Sequence, residues 1–158
     1  MSERVTYLDS SAILKRYLEE SGTPEVSRRF KQAYSGEIRL SFSVWNVGEV
    51  LGALDKAARL QRMSIKEHDL TRTRFLLELQ RMVRLKIADA VPLRSKVLLD
   101  SWRIIEKYHV YAADAIQVAA AKHVTASEFL TGDARLHAVA ASNGLESTCL
   151  TPETSPSD

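Results

Sequence analysis

A chain of 158 residues with 45% apolar and 27% charged residues has the balance of one compact domain with a sizeable core. Its net charge of +2 is too small to mark a nucleic-acid binder by itself, and the lone Cys149 excludes an internal disulfide or a Cys-rich zinc site. No run approaches the roughly 20 apolar residues of a membrane span, and MSERVTYLD lacks the basic-then-apolar layout of a secretion signal. A cytoplasmic protein is expected, with Cys149 as a buried strand thiol.

Strand and helix signals alternate along the chain, which predicts a parallel sheet covered on both faces. VTYLD (5–9) reads as a first strand, followed by a helix over 12–20 and a second helix opened by Pro24. IRLSFS (38–43) reads as a second strand. The helix predicted over 46–60 places Val47, Val50, Leu51, Leu54 and Ala58 on one face, and a long amphipathic helix follows over 65–84. KIADAVPL (86–93) supplies a short third strand. A helix through Val97, Leu98, Trp102 and Ile105 and an alanine-rich helix over 113–122 come next. EFLTG (128–132) is the fourth strand, a helix over 134–143 stops at Gly144, and STCL (147–150) is the fifth. One domain is thus predicted over 1–150. The polar, proline-broken TPETSPSD (151–158) reads as a disordered tail.

Charge is unevenly spread. Residues 61–96 hold nine Lys or Arg against four acids, whereas residues 125–158 hold one Arg against five. A solvated helix face is the first explanation of the basic stretch, and contact with a phosphate backbone the second.

Four carboxylates point to one destination. Asp9 ends the first strand and Asp133, in LTGDARL, ends the fourth, so parallel strands bring both to the same sheet edge. Strands one and four are expected to be neighbours at a topological switch point, where open α/β sheets bind ligands. Asp114, in YAADAIQVAAAKH, lies in the first turn of its helix, and Glu49, in SFSVWNVGEVLGALDK, lies inside a helix but off its apolar stripe. Each acid alone has a plainer explanation as a helix cap or solvated surface group. Gly48 and Gly52 inside the same helix cost on the order of 1 kcal/mol each against alanine, which suggests close backbone approach there. Several carboxylates in one crevice repel one another, and a hard divalent cation relieves that repulsion. An all-oxygen set without Cys suits Mg²⁺ or Mn²⁺ better than zinc.

The segments YLDSSAILKRY, the serine-to-Glu49 stretch, AADAIQVAAAKH and FLTGDARL with its following ASNGL together resemble a PIN-domain protein of the VapC toxin type. The resemblance spans nearly the whole chain. It implies a three-layer α/β/α fold with a five-stranded parallel sheet. It also implies a Mg²⁺- or Mn²⁺-dependent endoribonuclease, the toxin of a type II toxin–antitoxin pair, with Asp9, Glu49, Asp114 and Asp133 as its acidic metal-binding and catalytic set. Ser10 or Ser11 would support the metal shell, and Thr131 matches the small hydroxyl residue two before the last acid. Two departures stand out: Gln117 replaces a His found in many relatives, and Arg135 and Leu136 add no carboxylate after Asp133. An RNA substrate and a cognate antitoxin are the implied partners, and the long helices with their apolar residues suggest a homodimer.

Other chemistries find little support. His68, His109, His123 and His137 are scattered without paired-ligand spacing, and no GxxxxGK[ST], GxGxxG or GxSxG occurs. Trp45 and Trp102 are expected in core or interface packing ahead of base stacking. A catalytically silent RNA- or protein-binding module is the main alternative. An acidic-site phosphotransfer protein is weaker, because DSSA after the first strand lacks the second acid of a DxD motif.

Overall fold

The computed structural model describes residues 3–151; the predicted tail lies outside the described residues, apart from its first residue, Thr151. Five strands, β1 (Val5–Leu8), β2 (Arg39–Ser43), β3 (Ala88–Val91), β4 (Glu128–Thr131) and β5 (Ser147–Cys149), form one parallel sheet in the order β3-β2-β1-β4-β5. β1 therefore pairs with β4, and the strand order reverses between them, as the sequence predicts. Cys149 is only partly buried in β5, because this strand is the sheet edge and its residues are half-covered. Among the described residues, no helix is long and apolar enough to cross a membrane.

Helices cover both faces. On one side lie α1 (Ser10–Tyr17), α2 (Thr23–Tyr34), α3 (Val44–Arg59) and α4 (Ile65–Arg84), and on the other α5 (Ser95–Tyr108), α6 (Ala112–His123) and α7 (Ala134–Ser142). The two-residue period of a strand sends neighbouring side chains to opposite faces. Leu8 joins Leu40, Phe42 and Leu130 beneath Ile13, Phe30, Val50 and Phe75, whereas Tyr7 joins Phe129 and Val91 beneath Val118 and Leu136. Tyr7 and Phe129 stack at 5.5 Å between ring centroids. The alanines of α6 let it lie close against this second layer, and Ala115, Ala119, Ala120 and Ala121 are all buried.

Local chemistry fixes the ends of these helices. Ser64 and Glu67 form a reciprocal capping box that starts α4, and Ser43 with Asn46 does the same for α3. α1 begins two residues before its predicted start because the Asp9 carboxylate already accepts from Ala12 N. It ends at Tyr17, short of the predicted Glu20, where the chain turns through Gly22 in the left-handed region at φ +91°. A Cβ on Gly22 would stand 2.7 Å from Leu150 O, so the turn requires glycine. α1 is tied to α4 by Glu78, which accepts from Arg16 Nη2 at 2.9 Å and from Tyr17 Oη at 2.8 Å. At the end of the sheet away from Asp9, Arg29 Nη2 donates to buried Glu128 at 2.6 Å, and Thr6 and Thr148 also donate to that carboxylate.

Candidate active site

Asp9 leaves the end of β1 as the cap of α1 and is 4% exposed. Both of its oxygens are engaged. Oδ1 accepts from Ser11 Oγ at 2.7 Å and Ala12 N at 2.8 Å, and Oδ2 accepts from Thr131 Oγ1 at 2.5 Å. The same hydroxyls hold the β4–α7 loop, since Ser11 Oγ accepts from Gly132 N and Thr131 Oγ1 from Asp133 N. Gly132 is a place of close approach that the sequence did not disclose: a Cβ there would stand 2.9 Å from Lys15 Cε. Burial pushes the Asp9 carboxyl up to about 6; its hydrogen bonds oppose that shift, and the nearby Asp133 adds to it.

Glu49 is placed by a ring of polar side chains. Ser10 Oγ donates to Glu49 Oε1 at 2.6 Å and Gln117 Nε2 donates to the same oxygen at 3.0 Å. Asn46 Nδ2 closes the ring by donating to Ser10 Oγ and to Gln117 Oε1, both at 2.8 Å. Tyr7 Oη donates to Gln117 Oε1 at 2.7 Å, and Asn46 Oδ1 accepts from Ser43 N. Tyr7, Asn46 and Gln117 are buried, so these bonds satisfy groups that water does not reach. Burial and the nearby carboxylates raise the Tyr7 hydroxyl well above its ordinary value, so it remains a donor.

Sequence reasoning missed Asn46 and Tyr7 altogether, and it recorded Gln117 only as a departure from a family pattern. The available signal was Asn46 at the third position of α3, where it reads first as a capping partner. It also misread Gly48 and Gly52: a Cβ at either meets no atom within 4 Å, so neither serves close packing, and both face open space.

Asp114, in the first turn of α6, makes no side-chain hydrogen bond among the described residues. Its carboxyl is raised by burial and by Asp133 and Glu49, with Arg135 acting in the opposite direction. Asp133 is exposed at the start of α7, where Oδ1 accepts from Arg135 N and Leu136 N. Arg135 Nη2 donates to His109 O at 2.6 Å and so fixes the α5–α6 turn beside the acids.

Asp9, Glu49, Asp114 and Asp133 line one cleft of about 180 Å³, together with Ser10, Ser11, Gln117 and Leu136. The cleft lies at the carboxyl edge of the sheet, at the switch point between β1 and β4. Thr131 stands behind it and meets it through Asp9, Ser11 and Asp133. Among the described residues, no three His, Cys, Asp or Glu side chains form a preassembled metal cage. The donor chemistry still fits a hard divalent cation. Every candidate ligand is an oxygen, Asp114 has no donor of its own, and the mutual repulsion of the acids is the charge excess that such an ion relieves.

The family model of the PIN domain matches residues 6–142. The chain belongs to the PIN-domain family. Its fold is similar to that of FitAcB from Neisseria gonorrhoeae, with a TM-score of 0.66 and 14% identity over 90% of this chain and 95% of that one. It is also similar to VapC20 from Mycobacterium tuberculosis, described as a sarcin–ricin loop cleaving toxin, with a TM-score of 0.59 and 12% identity over 84% and 93%. A toxin–antitoxin complex from Klebsiella pneumoniae gives a TM-score of 0.55 and 15% identity over 81% and 86%. At these identities the likeness is one of fold. No curated protein matches the chain in sequence. The three-layer α/β/α architecture expected from the sequence is thus the architecture of the PIN domain, and the four acids line its cleft.

Proposed function

We propose that this PIN domain is a divalent-metal-dependent endoribonuclease, the VapC-type toxin of a toxin–antitoxin pair. The observation that carries the reading is the gathering of Asp9, Glu49, Asp114 and Asp133 in one cleft at the sheet's switch point. The sarcin–ricin loop cleaving activity of the similar VapC20 supports RNA as the substrate class. Membership of the PIN family counts against the phosphotransfer reading.

Asp9, Glu49, Asp114 and Asp133 would hold Mg²⁺ or Mn²⁺. When bound, such an ion supplies an activated water and neutralises charge that develops on a phosphodiester. The remaining work falls to the chain. Ser11 and Thr131 fix both oxygens of Asp9, while Ser10 and Gln117 fix one oxygen of Glu49. Among the described residues nothing hydrogen-bonds the Asp114 carboxylate, which leaves both oxygens for a cation. Attack by water in line with the leaving 3′ oxygen leaves 5′-phosphate and 3′-hydroxyl ends.

Incubation of the pure protein with total RNA, in Mg²⁺, Mn²⁺ or EDTA and followed by end-group analysis, tests this. Cleavage undiminished in excess EDTA, or a 2′,3′-cyclic phosphate product, overturns it. The toxin–antitoxin complex among the similar structures supports an antitoxin as protein partner. A carboxylate cluster is a natural receptor for an Arg fork, so the antitoxin is expected to present one there. The exposed apolar residues Leu99 and Trp102, one turn apart on α5, support self-association as a homodimer.

A further inference from the structure

We infer that a shallow apolar groove next to the acidic cleft is a stacking subsite for one nucleobase of a single-stranded RNA, with Trp45 as its platform. This rests on the ribonuclease reading above. The groove has a volume of about 440 Å³, and Val44, Trp45, Gly48, Glu49 and Leu93 line it. Glu49 lines both the groove and the cleft, so the two adjoin at one side chain, a separation that neighbouring nucleotides of one strand can span.

Trp45 lies one helical turn before Glu49, which puts the two side chains on the same face of α3. It is 41% exposed and Val44 is 43% exposed, so of the core or interface packing expected of this tryptophan the core is excluded. The indole makes no hydrogen bond among the described residues. Gly48 leaves the floor beside it bare, since a Cβ there would meet no atom within 4 Å. Glycine inside a helix is unfavourable against alanine, and here no packing constraint calls for it. An open floor beside an aromatic ring admits a flat ligand that a side chain would obstruct.

Chemistry selects the occupant. Apart from Glu49 and the indole N–H of Trp45, the lining offers no charged or hydrogen-bonding side chain, so recognition there is chiefly by apolar contact and stacking, which any base supplies. Arg94, next to Leu93 in the chain, is exposed and has no ion pair among the described residues, so a cation suited to a backbone phosphate lies one residue from the groove's lining. An apolar floor beside an acidic cleft for the reacting phosphate, with an Arg one residue from its lining, fits one nucleotide of a continuous strand. The subsite is therefore expected to favour single-stranded over duplex RNA and to be tolerant of base identity.

The test uses the full chain in EDTA, so that binding is read without cleavage. The probes are a labelled mixed-sequence oligoribonucleotide, the same strand with abasic residues, and the duplex. Trp45→Ala should weaken binding of the intact strand about tenfold, Trp45→Phe should retain most of it, and Gly48→Leu should reproduce the loss. The abasic strand should bind both wild type and Trp45→Ala equally weakly. In Trp102→Phe protein, where Trp45 is the remaining tryptophan, the intact strand should quench its fluorescence. Unchanged RNA affinity in Trp45→Ala, in a protein that still cleaves RNA with Mn²⁺, overturns the subsite and leaves the nuclease reading standing. Loss of affinity for a cognate antitoxin without loss of RNA affinity reassigns the groove to a peptide. A wild-type chain that neither binds nor cleaves RNA overturns both readings.

Discussion

Gln117 on α6 donates to Glu49 on α3 across the end of the sheet, joining two helices that cover opposite faces. The bond is 3.0 Å long and reaches the oxygen that Ser10 also holds. The candidate site therefore spans both layers, and its geometry depends on buried side chains that carry no charge.

Replacing Gln117 by Leu should test that dependence. Glu49 would lose one of its two donors, one N–H of the buried Asn46 amide would lose its acceptor, and the Tyr7 hydroxyl would be left with Asn46 Oδ1 at 3.3 Å. One such orphaned group costs about 1–3 kcal/mol. Gln117→Leu is expected to lower the unfolding free energy by about 2 kcal/mol and RNA cleavage by about tenfold, as read by denaturant titration and an initial-rate assay. A variant as stable and active as wild type would show the ring to be incidental.

Asp114→Asn separates a metal ligand from a helix-terminal acid. The substitution removes one charge from a group already strained by Asp133 and Glu49, so the metal-free protein should melt no lower than wild type. A cation that binds only the folded wild type stabilises it by about 2.7 kcal/mol at one hundred times Kd. That increment, together with cleavage, should vanish in the variant. Thermal melts with and without Mn²⁺ provide the reading, and an unchanged metal response would remove Asp114 from the ligand set.

The pH dependence of Asp9 has a definite sign. Its folded-state value of about 6 lies above its ordinary 3.8, so between these limits the folded chain holds a proton that the unfolded chain has released. Stability of the metal-free protein should therefore fall as pH rises through this window, by about 3 kcal/mol from this group. Asp9→Asn keeps an oxygen for Ala12 N and Ser11 Oγ, and the Thr131 hydroxyl, which faces the new amide nitrogen, can turn to accept. Its melting temperature should approach that of wild type near pH 4 and exceed it near pH 7. Parallel melting curves across that range would contradict the assignment.

Much of this arrangement was legible in the sequence because it rests on local signals. The strands that deliver Asp9 and Asp133 follow from short apolar runs closed by a cap or a turn, and the bounds of α4 follow from a long amphipathic period. The β1–β4 pairing followed from chain order. The ring of Asn46, Gln117 and Ser10 was not legible, because its members lie 36 and 71 residues from Asn46 and meet only through the fold. The glycines of α3 were misread because sequence records a missing side chain without telling whether the space beside it is packed or open.

Far from the cleft, the Arg29–Glu128 pair offers a control on stability alone. Both side chains are at most 10% exposed. Arg29→Ala would strand the Glu128 carboxylate in the core, which typically costs about 3–5 kcal/mol. The expected result is a large loss in the unfolding midpoint with cleavage per folded molecule unchanged. A small effect would mean that Thr6 and Thr148 suffice for that carboxylate.

Asp9 begins a helix and also resists the charge that the proposed reaction needs, so durability and catalysis make opposite demands on one side chain. A library of this chain screened for heat resistance in chelator would enrich neutral residues at position 9 and so accumulate inactive proteins. The same library screened in Mn²⁺ would retain the carboxylate. For anyone engineering this scaffold, the ion present during selection decides whether the survivors are enzymes.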